Sequence, residues 1–187
     1  MRKKAAVFAS GTGSNFEAII NKADLACDIV LLVCDKPGAV VVDKANLRGI
    51  STFVCQPKEF HSKEAYEKQI VEKLQEAKVE WIFLAGYMRI VGPTLLNVFE
   101  GRMINIHPSL LPKFPGKDAI ERAYQAGVDK TGVTVHFVDK GVDTGPIIAQ
   151  REVPVLQGDT KETLKQRIQQ TEHQLYPEVV KQLILKK

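Results

Sequence analysis

Short β-branched apolar runs alternate with longer amphipathic stretches, the pattern of βαβ units on a mostly parallel sheet. The first run, Lys4 to Ala9, predicts a buried strand that ends in the loop Ser10-Gly11-Thr12-Gly13. A helix is expected to start near Ser14 or Asn15, both N-cap residue types, and to carry Phe16, Ile19 and Ile20 inward. A strand at Asp28 to Cys34, a turn at Lys36-Pro37-Gly38, a helix through Ala45 and Leu47 and a strand at Ser51 to Cys55 follow. Ser62 to Ala77 reads as a charged helix and Glu80 to Ala85 as an apolar strand. Gly86 to Arg89 then leaves the sheet as a loop, and Pro93 begins a short helix.

The strand Arg102 to Ile106 delivers His107-Pro108-Ser109 at its carboxyl end, where open α/β sheets bind ligands. After a helix around Ala119 to Ala126, Val133, Val135 and Phe137 alternate with Thr134 and His136, which predicts a half-exposed strand. The turn Asp143-Thr144-Gly145-Pro146, an extended piece from Ile147 to Val155 and a long helix from about Thr160 complete the chain. The expected fold class is α/β: a Rossmann-like, mostly parallel open sheet with helices on both faces, then a C-terminal extended pair plus a long helix. There is no internal repeat, low-complexity tract or linker, so residues 1–187 are expected to form a single domain.

With 44% hydrophobic and 26% charged residues the composition is that of a chain that folds by itself. The net charge of +4 is spread along the sequence and favours anionic small molecules only weakly. Nucleic-acid binding would call for a clustered basic face with interleaved aromatics, and none is present. Cys27, Cys34 and Cys55 lack CxxC spacing and lie in or beside apolar runs, which points to buried reduced thiols. The apolar stretch near the start is too short for an export signal, and no window approaches a membrane span, so a cytoplasmic location is expected.

Ser10-Gly11-Thr12-Gly13-Ser14-Asn15 lies between the first strand and the first helix, where backbone N–H groups and the helix dipole favour an anion. A dinucleotide fingerprint would need a third glycine where Phe16 stands, although Asp35 sits about where a ribose-binding acid belongs. A Walker loop would need Gly-Lys-Ser/Thr, which is absent, and a plain tight turn is the bland alternative. A single phosphate fits so short a loop best, held by the amides of Gly13, Ser14 and Asn15, with the Ser14 hydroxyl and Asn15 amide as further donors.

Asn105 and His107 lie on one side of a strand end because alternate residues share a face. Pro108 restrains the His107 backbone to an extended form, and Asp143 stands in a glycine-flanked loop that can approach the imidazole. Each is commonplace alone: a histidine at a strand end is usually structural, and an aspartate between glycines usually forms a turn. Together they suit acyl-type transfer. Asn105 donates to a developing oxyanion, His107 moves a proton or carries charge, and Asp143 raises the basicity of His107. No Ser or Cys nucleophile with a base is evident, so direct attack by a substrate amine is the simpler chemistry. No Cys, His and acid combination has metal-ligand spacing, so no metal is expected.

Ser10-Gly11-x-Gly13-Ser14-Asn15, Asn105-x-His107-Pro108-Ser109-Leu110-Leu111-Pro112 and Asp143-x-Gly145-Pro146 together resemble the folate-dependent formyltransferases over nearly the whole chain. The resemblance implies that the amine of phosphoribosylglycinamide attacks the formyl carbon of 10-formyltetrahydrofolate, with Gly13, Ser14 and Asn15 holding the substrate phosphate. It implies that Gln169, Gln170, Thr171 and Glu172 reach the ribose and glycinamide end, although a solvated helix face is the alternative for Glu172. Met88, Arg89, Ile90 and Val91, with Asn105 and the stretch Asp139, Lys140, Gly141, Val142 and Asp143, would form the folate pocket, mostly through backbone groups. Lys63 stands where the family suggests an arginine for the anionic folate, keeping the charge but losing bidentate geometry. Lys117 to Ile120 replaces histidines of some relatives and is assigned no catalytic role. His136 is expected to support the site from behind, and His61 and His173 to lie on the surface.

Two family alternatives use the same three residues. A formyltetrahydrofolate hydrolase uses water as acceptor and usually carries an extra N-terminal domain. A methionyl-tRNA formyltransferase usually has a further C-terminal domain and Arg-Gly-Ala-Ala-Pro where Lys113 to Gly116 stands here. A nucleotide-binding module without catalysis is a third possibility, and monomer and homodimer both stay open.

Overall fold

The computed structural model describes residues 1–186, in which seven strands form one sheet in the order β3-β2-β1-β4-β5-β6-β7. β1 (Lys3–Ala9), β2 (Cys27–Cys34), β3 (Ser51–Val54), β4 (Trp81–Leu84) and β5 (Met103–His107) run parallel. β6 (Lys130–Phe137) and β7 (Ile147–Pro154) extend the sheet as an antiparallel pair. The helices are α1 (Ser14–Ile20), α2 (Val40–Leu47), α3 (Lys63–Glu76), α4 (Pro93–Phe99), α5 (Ala119–Gln125) and α6 (Lys161–Lys186). A short 3-10 turn at Pro57–Glu59 had no forecast in the sequence pattern.

The two-residue period of β1 sorts its side chains onto two layers. Ala5, Val7 and Ala9 pack against Phe16 and Ile19 of α1, Val41 and Ala45 of α2, and Ile168, Tyr176 and Val180 of α6. Ala6 and Phe8 face the opposite way, toward Tyr66, Ile70 and Leu74 of α3 and Leu95 and Phe99 of α4. Because both faces are covered, the central strands need apolar residues at every position, which is why they read as unbroken runs. Each large side chain removed from water there contributes roughly 1.5–3 kcal/mol.

β1 and β4 are neighbours, yet the chain leaves β1 through α1 on one face and leaves β4 toward α4 on the other. The two loops diverge, and the crevice between them is where such sheets bind ligands.

Two local expectations need correction. β6 is not half-exposed: Thr134 and His136 are buried along with Val133 and Val135. Segment 108–114 folds back over that face, so the Thr134 hydroxyl donates to the Ser109 carbonyl at 2.7 Å and accepts from the Leu111 N–H at 3.1 Å. Nor do Ser14 or Asn15 cap α1: the cap position is Gly13, in the left-handed region at φ 76°, with no side-chain cap hydrogen bond. A Cβ on Gly13 would also lie 2.5 Å from Val41 Cγ2, so this turn accepts only glycine.

α6 closes the structure. Tyr176, buried among the core residues, donates its hydroxyl to the carbonyls of Leu84 (2.7 Å) and Ile104 (3.2 Å), tying the helix across β4 and β5. Cys27, Cys34 and Cys55 are free and buried, and burial pushes the Cys55 thiol up to about 11. No described helix is long and apolar enough to cross a membrane.

Candidate active site

A cavity of about 630 Å³ opens at the carboxyl ends of β1, β4 and β5. Its wall takes in the loop 11–15, the loop after β4, the end of β5, segment 116–120, the turn 139–143 and two residues of α6. Gly13, Ser14 and Asn15, Met88 to Val91, Asn105, His107, Asp139, Gly141, Val142, Asp143, Gln169 and Glu172 all line it. Gln170, Thr171, Lys140 and Lys63 do not, although each was expected at a substrate. The Thr171 hydroxyl turns back onto the Arg167 carbonyl at 3.1 Å, and Lys63 sits at the first turn of α3 with its arm beside Gly92.

The three residues proposed for chemistry meet on the face of β5 that carries Asn105 and His107. β5 pairs with β6 so that Asn105 lies opposite His136 and His107 opposite Thr134. Asp143 reaches this pair from the turn before β7. Its Oδ2 lies 3.4 Å from His107 Nδ1 and accepts the Gly116 N–H at 2.7 Å, while Oδ1 lies 3.6 Å from His136 Nε2. Asp143 itself has φ 56°, and at Gly145 a Cβ would fall 1.8 Å from the Phe137 carbonyl oxygen, so the turn depends on that glycine. Close approach of backbone to backbone is what the Asp-x-Gly spacing supplies.

Both imidazoles are fixed from behind. His107 Nε2 lies 2.8 Å from the Phe114 carbonyl and His136 Nδ1 lies 2.8 Å from the Phe137 carbonyl, and a carbonyl can only accept. Those nitrogens therefore carry hydrogens, and His107 Nδ1 and His136 Nε2 are the basic positions left to face Asp143 and Asn105. Asn105 Nδ2 donates to His136 Nε2 at 3.3 Å, which turns the amide so that its NH₂ end is held at the site. Burial pushes the His107 imidazole below its ordinary value, partly offset by the Phe114 carbonyl and the Asp143 charge. Burial also resists ionisation of Asp143, but the Gly116 N–H and the polar surroundings supplied by His136 and His107 outweigh it and hold the carboxyl low. The resting pair is thus a carboxylate beside an imidazole with an open basic nitrogen.

In the loop after β1, Ser14 and Asn15 present first-turn amides of α1 with their side chains unspent on capping. Glu172 on α6 faces them: it is 8% exposed, and its carboxylate accepts from Asn15 Nδ2 at 3.4 Å. Burial drives its carboxyl up to about 7, with the Asn15 amide a smaller opposing effect. The solvated-face alternative for Glu172 is therefore excluded. His173, expected on the surface, instead buries Nε2, whereas His61 is exposed as expected.

Sequence reasoning missed the carbonyl of Phe114 and the amide of Gly116, which complete the cluster from a loop with left-handed backbone at Phe114 and Gly116. Arg122 on α5 braces this loop, donating to the carbonyls of Pro115 and Lys117 and lying over the Phe114 ring. The Pro115-Gly116 pair was the one signal of a special turn. Ser10 was read only as part of the loop after β1 and Asp35 only against a dinucleotide fingerprint, whereas Asp35 is buried within hydrogen-bond reach of Ser10 and Arg89.

A doubly covered, mostly parallel sheet with an Asn, His and Asp cluster at its carboxyl edge suits a group-transfer enzyme, and the chain belongs to the formyl transferase family. The family's sequence profile matches residues 3–180. The chain is 52% identical over 185 residues to the phosphoribosylglycinamide formyltransferase of Bacillus subtilis (strain 168), covering 97% of this chain and 95% of that protein. The crystal structure of glycinamide ribonucleotide transformylase 1 from Geobacillus kaustophilus superposes with a TM-score of 0.96 at 54% identity, covering 98% of this chain and 100% of that one. The trifunctional purine biosynthetic protein adenosine-3 of Drosophila melanogaster is 42% identical over 188 residues, 98% of this chain but 14% of that longer protein. The chain is an enzyme that transfers formyl groups.

Proposed function

We propose that this formyltransferase moves the formyl group of 10-formyltetrahydrofolate to the amine of phosphoribosylglycinamide, a step of purine biosynthesis, within a single domain in the cytoplasm. The observation that carries this reading is that a single cavity is lined by the loop 11–15, the loop 88–91 and the Asn105, His107 and Asp143 cluster together. The phosphate of the acceptor lies on the amides of Gly13, Ser14 and Asn15. Gln169 and Glu172 meet its ribose and glycinamide part, and the folate lies along Met88 to Val91 and the turn Asp139 to Asp143.

The amine nitrogen attacks the formyl carbon, forming the new C–N bond, and the carbonyl electron pair moves to oxygen. The Asn105 NH₂ donates to that oxyanion, a contact stronger in the transition state than in the ground state. The proton released by the amine is accepted at His107 Nδ1, where the Asp143 carboxylate stabilises the imidazolium. The same proton is returned to the folate nitrogen as the carbonyl re-forms and the old C–N bond breaks, so no charge is left over. Holding both reactants in one cavity supplies the orientation.

The Bacillus subtilis relative is matched almost end to end, which favours this reading over tRNA formylation. The anion loop favours a phosphorylated acceptor over water. Purified protein with 10-formyltetrahydrofolate is expected to release tetrahydrofolate only when phosphoribosylglycinamide is added, followed by absorbance. Release without it would mark a hydrolase, and no release with it would mark a binding module.

A further inference from the structure

We propose that Ser10 and Asp35 are positioning residues for the folate side of the reaction, aiming the Arg89 guanidinium at the anionic carboxylate tail of the folate. This rests on the functional reading above. The Asp35 side chain is 0% exposed, and nothing in the transfer chemistry uses it. Its Oδ1 accepts the Ser10 hydroxyl at 2.5 Å and its Oδ2 accepts Arg89 Nε at 2.8 Å. The same Ser10 oxygen accepts the Met88 N–H at 2.9 Å, and the Ser10 N–H donates to the Gly86 carbonyl at 3.1 Å. One serine therefore joins the end of β1 to both ends of the turn that begins the folate loop.

The way Arg89 is held matters. A guanidinium has five N–H donors in a rigid fork, and a carboxylate that engages it in a bidentate pair takes two of them. Asp35 takes Nε, at the inner edge, which leaves the terminal Nη groups for another partner. The Arg89 side chain is 48% exposed, and Arg89 lines both the 630 Å³ cavity and a neighbouring cavity of about 390 Å³ that also holds Lys36 and Lys58. In a folate the reacting formyl nitrogen joins the pterin head to the benzoyl-glutamate tail, so with the formyl group beside Asn105 the tail carboxylates extend away from the reacting centre. The wall shared by the two cavities offers that tail a guanidinium already oriented by a buried carboxylate. Lys63, expected to meet the anion, lines neither cavity.

The test is steady-state kinetics on the full chain with two formyl donors, 10-formyltetrahydrofolate and 10-formyltetrahydropteroate, which lacks the glutamate tail. Asp35→Ala and the isosteric Asp35→Asn are expected to raise KM for the tailed donor about tenfold, with kcat and the KM for the amine within about twofold, the pattern of a lost binding contact. With the tail-less donor they should have no effect. Asp35→Ala added to Arg89→Ala should be no worse than Arg89→Ala alone, since a positioning residue acts only through its partner. Equal loss with both donors, additive loss in the double variant, or an unchanged or lower KM would overturn the proposal. If Asp35→Ala does not fold, Asp35→Asn carries the comparison. Absence of turnover by the unmutated chain would overturn the functional reading, and this assignment with it.

Discussion

His107 lines the cavity with its two nitrogens in different roles: Nε2 is held by the Phe114 carbonyl, while the basic Nδ1 lies 3.4 Å from the Asp143 carboxylate. That arrangement suits a group that receives a proton beside a stabilising carboxylate and hands it back within the same cavity. His107→Ala and Asp143→Asn should each lower kcat at least about 10²-fold, the usual scale of acid–base assistance. Binding of phosphoribosylglycinamide, followed by calorimetry, should survive both changes. Near-full turnover in either variant would refute the proton-transfer role. At this scale the sequence was informative where spacing decides direction. The two-residue step puts Asn105 and His107 on one face, and the glycines around Asp143 announce a tight turn. It could not supply the partners of the imidazoles, because those are carbonyls brought in by loop 113–116 and by β6 itself, and a carbonyl has no signature in the sequence.

Elements were legible wherever burial on both faces or helical periodicity wrote a long pattern, as in β1, β2, α3 and α6. β6 was misjudged because its polar residues, Thr134 and His136, satisfy segment 108–114 and Asp143 instead of solvent, and alternation alone cannot separate the two cases. Glu172 poses the same problem on α6. Read as a helix position it belongs to a solvated face, but α6 packs it against α1 beside Asn15. This docking has a measurable cost. The Glu172 carboxyl has an ordinary value of 4.5 and is raised to about 7 in the fold. Between those values the unfolded chain gives up the proton and the folded chain keeps it, so stability must fall as pH rises through that window, by on the order of 3 kcal/mol at most. Glu172→Gln should remove that fall. Its thermal midpoint should match the parent near pH 4.5 and exceed it at pH 8, whereas an equal difference at both would show that the carboxyl titrates normally in the fold.

At the scale of the molecule, the site follows from topology. The chain turns one way after β1 and the other after β4, opening a crevice whose two lips are the loop 11–15 and the Arg89 loop, with β5 carrying its polar pair on the other side of β4 from β1. That layout could be read from strand order and from the position of the motifs. The closing of α6 over the loop 11–15, and the buried Ser10 and Asp35 link between the two lips, could not, because they join residues far apart in the chain through unremarkable side chains. The central claim is that the formyl carbon passes directly to the amine in this cavity. It is tested by supplying 10-formyltetrahydrofolate with carbon-13 in the formyl group, together with phosphoribosylglycinamide, and following the label by NMR. Direct transfer requires the label to appear in an amide on the glycinamide nitrogen, in step with tetrahydrofolate; label collecting as formate, at a rate indifferent to the amine, would contradict it.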